Sequence, residues 1–421
     1  MALHMDRGIE MLYRDGFKST YFPTEDGWKF FREFVDLCHR AEPFRSKALY
    51  NDVFQAFNTA FARIISRRMM PDIVEDFFEY LPEEFYLSLT TRSERAVFKV
   101  NGVECTSSGF SQVGNCWIGS YSALDLDFVA LDDDQLSKVQ LEGINEVYED
   151  FEVTLVTEPI QGTSDFAKRQ AVYQCEITEG LLGLLLNVSY ERVFHRLWSV
   201  RSMHRPEHGF SRHRSFSFVR GDRSGEQGAS LSTSTKFIGE QFKIDDQIID
   251  RWHTAFGLST MNRILATSPN DQTDLQSRWL NALLFFRQSS LQPIPEMQMS
   301  TLWICVEAFF TADNERVIEA LLPGLVAITI YYMNPELWPA NARTLADLER
   351  RFKKYYSYRS KTFHHGARGH VSETDVQDFS WVVSNLIMAI AHLIGSGIES
   401  TEDLHQRCRM AHQTLKEGQN S

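Results

Sequence analysis

Residues 355–366 of this chain read Tyr-Tyr-Ser-Tyr-Arg-Ser-Lys-Thr-Phe-His-His-Gly, and they decide how its C-terminal part is interpreted. Apolar residues leading into them recur at spacings of three and four, which predicts an amphipathic helix: Leu345, Leu348, Phe352 and Tyr355. The same spacing continues to Arg359, so its guanidinium group is predicted to lie on the buried face of the helix. A buried charge without a partner is costly, so we expect Arg359 to be paired or to line a cleft.

We predict that this helix begins at Thr344 and ends before Gly366, since glycine is a common helix stop. The Thr344 hydroxyl can cap the helix, and Asp347 stands three residues further on to complete a capping box. On an ideal helix, residues five positions apart, such as Arg359 and His364, lie about 140° apart around the axis. The two side chains therefore converge only if the helix unwinds after residue 363 or if two copies of the chain combine their motifs.

This segment resembles the HEPN superfamily of ribonucleases, most closely its ApeA-like branch. The family pattern is a tyrosine-led helix that ends R-S-x-x-x-H-x-G, and five residues match it: Tyr358, Arg359, Ser360, His364 and Gly366. The apolar run at residues 302–310, which contains Glu307, is similar to the glutamate-bearing helix that precedes the motif in the family. The resemblance covers roughly residues 275–396. The chain departs from the pattern in a second histidine, His365, and the family spacing favours His364 as the catalytic one.

The resemblance implies a C-terminal, all-α helical bundle that cleaves RNA without a metal or any other cofactor. It assigns catalysis to Arg359 and His364, and supporting roles to Glu307, Tyr358, Ser360 and His365. It also implies a homodimer formed through the bundle, in which both motifs share one cleft. ApeA-like proteins are associated with abortive defence against phage, so the implied protein is a bacterial toxin held inactive until a phage-derived trigger appears.

The residue types themselves suit the cleavage of RNA, which carries its own nucleophile in the ribose 2′-hydroxyl. A histidine can accept the proton of that hydroxyl or protonate the leaving 5′-oxygen. An arginine can hold the phosphate and stabilise its developing charge. The expected product is a 2′,3′-cyclic phosphate, and DNA, which lacks the 2′-hydroxyl, should resist cleavage.

Structural interpretations of the same residues stay open. Arg359 and Glu307 can form an ion pair whose role is only to hold the bundle together. His364 and His365 can serve as a polar helix terminus, where the helix dipole favours positive charge. The protein would then be a non-catalytic interaction or sensor protein that uses a dimeric bundle as its scaffold.

Charge singles out one further segment. The chain carries a formal net charge of −13, which argues against general coating of nucleic acid, since binding to a polyanion needs local positive charge. Residues 192–223 are locally basic and interleaved with aromatics, which suits contacts to phosphates and stacking on bases. Four arginines there are the predicted RNA-binding residues: Arg201, Arg205, Arg212 and Arg214. The alternative is a surface loop whose arginines neutralise nearby carboxylates.

Length and periodicity predict an α+β chain of two parts. Its 421 residues are too many for one ordinary core. Residues 1–268 are predicted to form a mixed helix and strand region of unknown fold that senses a trigger or presents RNA. Within it, residues 1–90 are predicted to be helical and residues 91–240 strand-rich. Residues 269–421 are predicted to form the helical bundle.

Local patterns within the first part predict individual elements. Aromatic residues at helical spacing between 28 and 64 predict helices that pack against one another. The Asn101-Gly102 dipeptide between two short alternating runs predicts a hairpin. Residues 171–177 are predicted to form a strand, whereas residues 181–188 are apolar throughout and fit either a buried strand or a helix.

Cysteine usage and hydropathy predict a protein of the reducing cytoplasm. The six cysteines are scattered without a C-x-x-C pair or metal-like spacing, which is typical of free thiols. The apolar runs at 324–333 and 385–394 are shorter than the roughly 18 residues of a membrane span, so no membrane partner is expected. The acidic residues at 125–134 lack the spacing of an EF-hand, and no metal is expected there.

Overall fold

The structure, a computed structural model, describes residues 9–15, 18–23, 25–42, 44–67, 73–89, 91–123, 152–190, 216–220, 242–292, 294–310, 322–329, 342–366 and 369–419. The helices are α1 (Glu25–Arg40), α2 (Phe44–Lys47), α3 (Tyr50–Arg67), α4 (Ile73–Ser88), α5 (Ser164–Ser189), α6 (Asp246–Thr254), α7 (Leu258–Ala266), α8 (Asp274–Ser290), α9 (Pro295–Glu307), α10 (322–329), α11 (Ala342–His365), α12 (Glu373–Gly395) and α13 (Thr401–Gln419). The strands are β1 (Ile9–Asp15), β2 (Lys18–Pro23), β3 (Arg92–Cys105), β4 (Ser111–Val113), β5 (Cys116–Ser120), β6 (Glu152–Thr157), β7 (Ile160–Gly162), β8 (Phe216–Arg220) and β9 (Phe242–Ile244). The predicted α+β class is confirmed.

A long strand, β3, organises the larger sheet. It pairs antiparallel with β6, and the sheet continues from β6 through β5 to β4. Strands β7 and β8 pair antiparallel with the first half of β3, and β9 pairs in parallel with its end. Strands β1 and β2 form a separate two-stranded sheet.

The predicted hairpin at Asn101-Gly102 is wrong, because β3 runs through these residues as one strand. Its register with β6 shifts between Val100 and Glu104, which places the dipeptide in an irregular stretch of a continuing strand. Beyond the shift, Val103 is buried and pairs with β9. Because β3 continues past Gly102, the backbone of its second half can hydrogen-bond to β9. These hydrogen bonds outweigh the local preference of Asn101-Gly102 for a turn.

The N-terminal region is not uniformly helical as predicted for residues 1–90. Strands β1 and β2 form an antiparallel pair before α1 begins. The sequence carries a signal for this pair, since Gly16 directly follows Asp15, the residue that pairs with Lys18, and glycine is typical of the first position of a two-residue hairpin loop. From Glu25 onwards the helical prediction is confirmed by α1, α2, α3 and α4.

Aromatic side chains of the first helices form a core of their own. Phe57 and Phe85 stack with ring centroids 4.0 Å apart, and Phe31 packs edge-to-face on Phe54 at 5.2 Å. The predicted packing of the aromatic stripes is thereby confirmed. Phe30 is the exception, because 43% of its surface is exposed. This core is a cluster separate from the one formed by the sheet and the C-terminal helices.

Helix α5 corrects the strand predicted at residues 171–177 and shows residues 181–188 to be helical. Buried residues in its first half recur at spacings of three and four: Ala167, Ala171, Cys175 and Thr178. Residues 181–187 are all buried, because both the sheet and the helices α8 and α12 pack against α5. A helix covered on every side has no polar face, so its sequence shows no helical periodicity.

One hydrophobic core joins the sheet and α5 to the C-terminal helices. Asn187 of α5 donates a hydrogen bond to the Ser384 hydroxyl of α12 (2.9 Å). Arg287 of α8 donates to Oε2 of Glu179 in α5 (2.8 Å). The core thus continues across the predicted boundary between residues 268 and 269, and the division of the chain at that point stays a prediction.

Helix α12 is buried along most of its length. Among the described residues it is the one helix whose length and composition would allow it to cross a membrane. Serines interrupt its apolar residues, but the hydroxyls of Ser380 and Ser384 donate to backbone carbonyls of the same helix and are thereby satisfied inside the core. Since 72% of this apolar stretch is buried inside the protein, packing in the core accounts for its composition.

Replacing Gly324 in α10 by alanine is expected to lower the free energy of unfolding by about 1–3 kcal/mol. A Cβ atom at this position would overlap the backbone carbonyl of Cys408 in α13 and lie 2.7 Å from its Cα atom. The backbone of a packed helix cannot swing aside as a flexible side chain does. Urea unfolding followed by circular dichroism measures the loss.

The matched control is Gly109→Ala, where an added Cβ atom meets no other atom within 4 Å. This variant should unfold at nearly the same urea concentration as the unaltered protein. An equal loss of stability in both variants would contradict the steric explanation, because only Gly324 lies against another backbone.

Candidate functional site

Helix α11 carries the arginine–histidine motif and ends where predicted. Gly366 has a left-handed φ of 59° and donates its N–H to the carbonyl of Thr362 (3.1 Å), a conformation that glycine adopts without strain. The predicted start is wrong, because the helix begins at Ala342 and Thr344 lies inside its first turn. Alanine and arginine are both good helix formers, so Ala342 and Arg343 extend the helix past the expected cap.

Arg359 forms an ion pair with Glu307 of α9. Its Nη2 atom lies 3.3 Å from Oε1 of Glu307 and donates to Oε2 at 3.5 Å. The two side chains are 23% and 16% exposed, so the pair is largely withdrawn from solvent but can still be reached by it. The expectation that Arg359 has a partner is confirmed, and the partner is the glutamate that the sequence singled out.

Aromatic packing sets the positions of the helices around this ion pair. Trp303, one turn before Glu307, stacks on Phe379 of α12 with centroids 5.6 Å apart. Phe352 of α11 packs edge-to-face on the same ring at 5.7 Å. Phe352 and Tyr355 are only 1% and 2% exposed, which confirms that the stripe predicted from helical spacing is buried at these positions. The ion pair therefore stands beside a dry aromatic cluster that three helices share.

Tyr358 and Ser360 flank Arg359, and both are half-buried. The Tyr358 hydroxyl donates to Oδ2 of Asp375 in α12 (3.4 Å), and Lys354 Nζ donates to Oδ1 of the same carboxylate (2.6 Å). Burial raises the pKa of Asp375, but hydrogen bonds, the first of them from Lys354, outweigh burial and hold the pKa below its usual value. Tyr358 is therefore anchored to an ionised carboxylate.

The backbone of α11 stays helical through His364 and His365, whose side chains lie outside the described residues. Because the helix does not unwind after residue 363, the first of the two routes by which Arg359 and His364 were expected to converge is wrong. Helical geometry keeps these positions about 140° apart around the axis. The predicted RNA-binding residues also lie outside the described part of the chain: Arg201, Arg205, Arg212 and Arg214.

A further histidine, His370, lies beside the motif and was missed in the sequence. Its Nε2 atom is 3.3 Å from the carbonyl oxygen of Tyr358, and the two rings are 5.4 Å apart. Its Nδ1 atom is buried and has no hydrogen-bond partner among the described residues. The signal for this arrangement is weak: Gly366 and Gly369 both have positive φ, which marks a change of chain direction that spacing along a helix cannot reveal.

Glu296, at the start of α9, holds the segment that contains His370. It is 5% exposed, and one of its oxygens accepts the backbone N–H of Gly369. Burial raises the pKa of this carboxyl, but backbone hydrogen bonds, including those from Gly369 and His370, outweigh burial and hold the pKa below its usual value. Glu296 is therefore ionised at neutral pH and fixes His370 beside Tyr358.

Replacing Glu296 by glutamine is expected to destabilise the protein at neutral pH by about 1–3 kcal/mol, because hydrogen bonds to a charged acceptor are lost. The pKa of this carboxyl is lower in the folded chain than in the unfolded one, where it is about 4.3. Its contribution is therefore complete above that value and disappears as the pH falls through the folded pKa. Thermal unfolding measured from pH 7 down to pH 3 should show the two proteins converging in acid.

The matched control for this pH dependence is Glu83→Gln, which alters an exposed glutamate of α4. Its unfolding temperature should follow that of the unaltered protein at every pH. A difference between Glu296→Gln and the unaltered protein that stayed constant down to pH 3 would show that the carboxylate charge is not what stabilises the segment.

No group of three or more histidine, cysteine, aspartate or glutamate side chains in the described part of the chain is arranged to hold a metal ion. The acidic residues at 125–134 lie outside that part. All six cysteines are free thiols, as predicted. Burial raises the pKa of the Cys116 and Cys408 thiols to about 12, so these two are not nucleophiles at neutral pH.

Comparisons of the chain with protein-family models, with curated proteins and with solved structures found no match. The resemblance to HEPN ribonucleases therefore rests on the residues quoted for it, and the function that it implies stays a prediction. The geometry bears on that prediction through Arg359, a partly buried cation that pairs with Glu307 in the last part of a helix that continues into two histidines.

Proposed function

We propose that this protein is a metal-independent endoribonuclease of the HEPN type. The observation that supports it best is the placement of Arg359, which is held by Glu307 and stands five positions before the first histidine of a helix that stays regular to its end. An oriented guanidinium that solvent can still reach is suited to a phosphate ligand. The family motif adds Tyr358, Ser360 and the terminal glycine around it.

In the proposed reaction the ribose 2′-oxygen attacks the adjacent phosphorus, and the bond from phosphorus to the 5′-oxygen of the next nucleotide breaks. His364 accepts the proton of the 2′-hydroxyl, and an imidazolium returns a proton to the departing 5′-oxygen. Arg359 stabilises the charge that develops on the other phosphate oxygens. The products are a 2′,3′-cyclic phosphate and a 5′-hydroxyl, and neither proton transfer needs a metal.

The remaining motif residues are proposed to support this chemistry. Glu307 orients the guanidinium group of Arg359 before RNA binds. Tyr358 and Ser360, both half-buried beside Arg359, are placed to contact the RNA strand. His365 is available as a second imidazole next to His364.

The geometry of α11 supports a homodimer for the proposed reaction. In one chain, Arg359 and His364 lie about 140° apart around a regular helix, so a single phosphate cannot contact both without a change of backbone. A second copy placed across the end of α11 brings the histidine of one chain to the arginine of the other. We therefore propose that two bundles pair and that their motifs share one cleft.

The biological role is proposed from the resemblance alone. The protein would act in the bacterial cytoplasm as an effector of abortive defence against phage, cleaving host RNA, with tRNA as the first candidate. The N-terminal region would respond to a phage-derived trigger. Arg201, Arg205, Arg212 and Arg214 would bind the RNA backbone.

A second candidate function is favoured by the same ion pair. Glu307 compensates the charge of Arg359, so the pair also fits a bundle that serves only to hold two chains together. In this alternative the protein is a non-catalytic dimeric interaction or sensor protein. RNA would not be cleaved, and replacing the histidines would leave its activity as a scaffold intact.

The test is to incubate the purified protein with total RNA, with tRNA and with single-stranded DNA in the presence of EDTA, and to map the ends of all products. The proposed function expects fragments of RNA with 2′,3′-cyclic phosphate and 5′-hydroxyl ends, and intact DNA. Cleavage of DNA, or 3′-hydroxyl ends on the RNA fragments, would contradict it. RNA that stays intact, both here and in cells that express the protein during phage infection, would support the scaffold.

A further inference from the structure

A cleft of about 500 Å³ opens between helices α8 and α9 beside the Arg359–Glu307 ion pair. Its α8 side is one helical face, since the lining residues recur at spacings of three and four: Asp274, Ser277, Arg278, Asn281 and Phe285. Its α9 side is the last turn of that helix, with Ile304, Glu307 and Ala308. The volume is typical of sites for small molecules or for single residues of a polymer. Glu307 lines this cleft and also holds Arg359, so the two sites share one carboxylate.

The charges in the cleft are already compensated. Arg278 donates to Oδ1 of Asp274 (2.9 Å) and to the carbonyl oxygens of Ala308 (3.1 Å) and Phe310 (3.2 Å). Glu307 is paired with Arg359. A phosphate in the cleft would be repelled by the carboxylates of Asp274 and Glu307. A cation would be repelled by the guanidinium group of Arg278. The cleft is therefore suited to a neutral, polar ligand rather than to an ion.

The groups that remain for recognition are an aromatic ring, an amide and carboxylate oxygens. Phe285 is 38% exposed, and Asn281, one helical turn before it, is exposed as well. An exposed phenyl ring can stack on any nucleic-acid base, and this stacking stabilises binding whichever base is present. An asparagine amide offers both a donor and an acceptor, the pair that reads the edge of a base. The carboxylate oxygens of Glu307 only accept hydrogen bonds when ionised.

We propose that this cleft binds one unstacked base of single-stranded RNA, and that it prefers a base with an exocyclic amino group. The ring of Phe285 stacks on the base, the Asn281 amide pairs with its edge, and Glu307 accepts a hydrogen bond from the amino group. Uracil presents a carbonyl oxygen where cytosine and adenine carry an amino group, so it sets an acceptor against the Glu307 carboxylate. Adenine and cytosine are therefore bound more tightly than uracil.

This site deepens the proposed ribonuclease, on which it rests. Because Glu307 also holds Arg359, a base seated in the cleft lies next to the group proposed to hold the scissile phosphate. The base in the cleft then selects which nucleotide stands beside the bond that is cleaved. The site would make cleavage sequence-dependent through α8 and α9 rather than through the arginine–histidine motif.

The test is fluorescence anisotropy with labelled eight-nucleotide 2′-O-methyl oligomers of adenine, cytosine or uracil. Such oligomers have no free 2′-hydroxyl, so binding is measured whether or not the protein cleaves RNA. The adenine and cytosine oligomers are expected to bind at least about fivefold more tightly than the uracil oligomer. Phe285→Ala is expected to weaken binding of the adenine oligomer by about tenfold, since it removes one stacking partner. Asn281→Ala is expected to reduce the preference over uracil.

The matched control is Phe30→Ala, which removes a phenylalanine of similar exposure (43%) from α1 and should leave binding unchanged. Unchanged unfolding temperatures confirm that the variants are folded. Equal binding of all three oligomers, unchanged binding in Phe285→Ala, or no binding at all would overturn the proposal. If free adenosine monophosphate at equimolar concentration displaced the oligomer, the ligand of the cleft would be a free nucleotide and not a base of RNA.

The outcome separates this site from the proposed activity. Binding that depends on Phe285 in a protein that cleaves no RNA would keep the base site and remove the ribonuclease. RNA cleavage that is unaffected by Phe285→Ala, with equal binding of the three oligomers, would keep the ribonuclease and remove the base site.

Discussion

Replacing Arg359 or His364 by alanine is expected to slow RNA cleavage by about 100-fold or more. A positioned general base typically contributes 10²–10⁴-fold, and one preorganised charge on the developing anion contributes about 10²–10³-fold. Each variant removes one of these contributions and leaves the other in place. Initial rates on end-labelled RNA in EDTA measure the loss, and the His364→Ala protein should also relieve any slow growth that expression of the unaltered protein causes.

The controls for these variants follow from the ion pair. Arg359→Ala leaves Glu307 without the charge that faces it, which can also lower stability. Arg359→Lys keeps a positive charge but lacks the planar fork that holds a phosphate at two points, so it should stay folded and still cleave slowly. Arg351→Ala alters a 47% exposed arginine two turns earlier on the same helix and should cleave normally. Normal cleavage by His364→Ala would contradict the assignment, and His365→Ala, which removes a supporting imidazole, is expected to slow cleavage less than His364→Ala does.

A mixture of the two inactive variants distinguishes a shared cleft from a site within one chain. If the histidine of one chain serves the arginine of the other, a heterodimer of Arg359→Ala with His364→Ala contains one complete site. Co-expression of the two chains should then restore activity to well above that of either variant alone. Because α11 stays helical through His365, we expect this restoration. A mixture as inactive as its components, in a verified heterodimer, would place the site within one chain.

Replacing Arg287 by alanine is expected to lower the free energy of unfolding by about 3–5 kcal/mol, as for other buried ion pairs that lose one partner. The Arg287 side chain is 6% exposed and joins α8 to two glutamates of α5, with Nε 2.8 Å from Glu179 and Nη2 3.3 Å from Glu176. Without the guanidinium group, Glu179 and Glu176 lose the cation that pairs with both of them between the packed helices. Urea unfolding followed by circular dichroism measures the loss.

The matched control is Arg40→Ala, because Arg40 also pairs with a carboxylate but is 73% exposed on α1. Exposed pairs typically contribute less than about 1 kcal/mol, so this variant should unfold nearly normally. The double variant Arg287→Met with Glu179→Leu should recover part of the stability, since apolar replacement of a buried pair is often neutral. Equal losses for Arg287→Ala and Arg40→Ala would show that burial does not govern the effect.

Much of the C-terminal part is predictable from the sequence. Helix α11 lies close to where apolar spacing placed it, the stop at Gly366 is confirmed, and Arg359 has the inward position that its register indicated. These features depend on residues a few positions apart and on the backbone preferences of single residues. A chain segment carries that information by itself, so no knowledge of distant contacts is needed.

The secondary structure of other segments depends on which distant elements pack against them or hydrogen-bond to them. Residues 181–187 are helical but show no helical periodicity, because the sheet and two helices surround them and bury every side. β3 continues through Asn101-Gly102 because β9 offers backbone partners beyond it. In both cases bonds and contacts from far along the chain outweigh a local preference of the sequence.

The candidate site divides in the same way. The sequence by itself determined the helix, its end, the arginine on the inward face and the order of arginine and histidine, because each of these depends on spacing along one helix. The tertiary structure alone decided that the Arg359–Glu307 ion pair, which the sequence only allowed, is formed and that His370 lies beside Tyr358. These depend on the packing of α9, α11 and α12 around a shared aromatic cluster, where contact energies between distant residues select the arrangement.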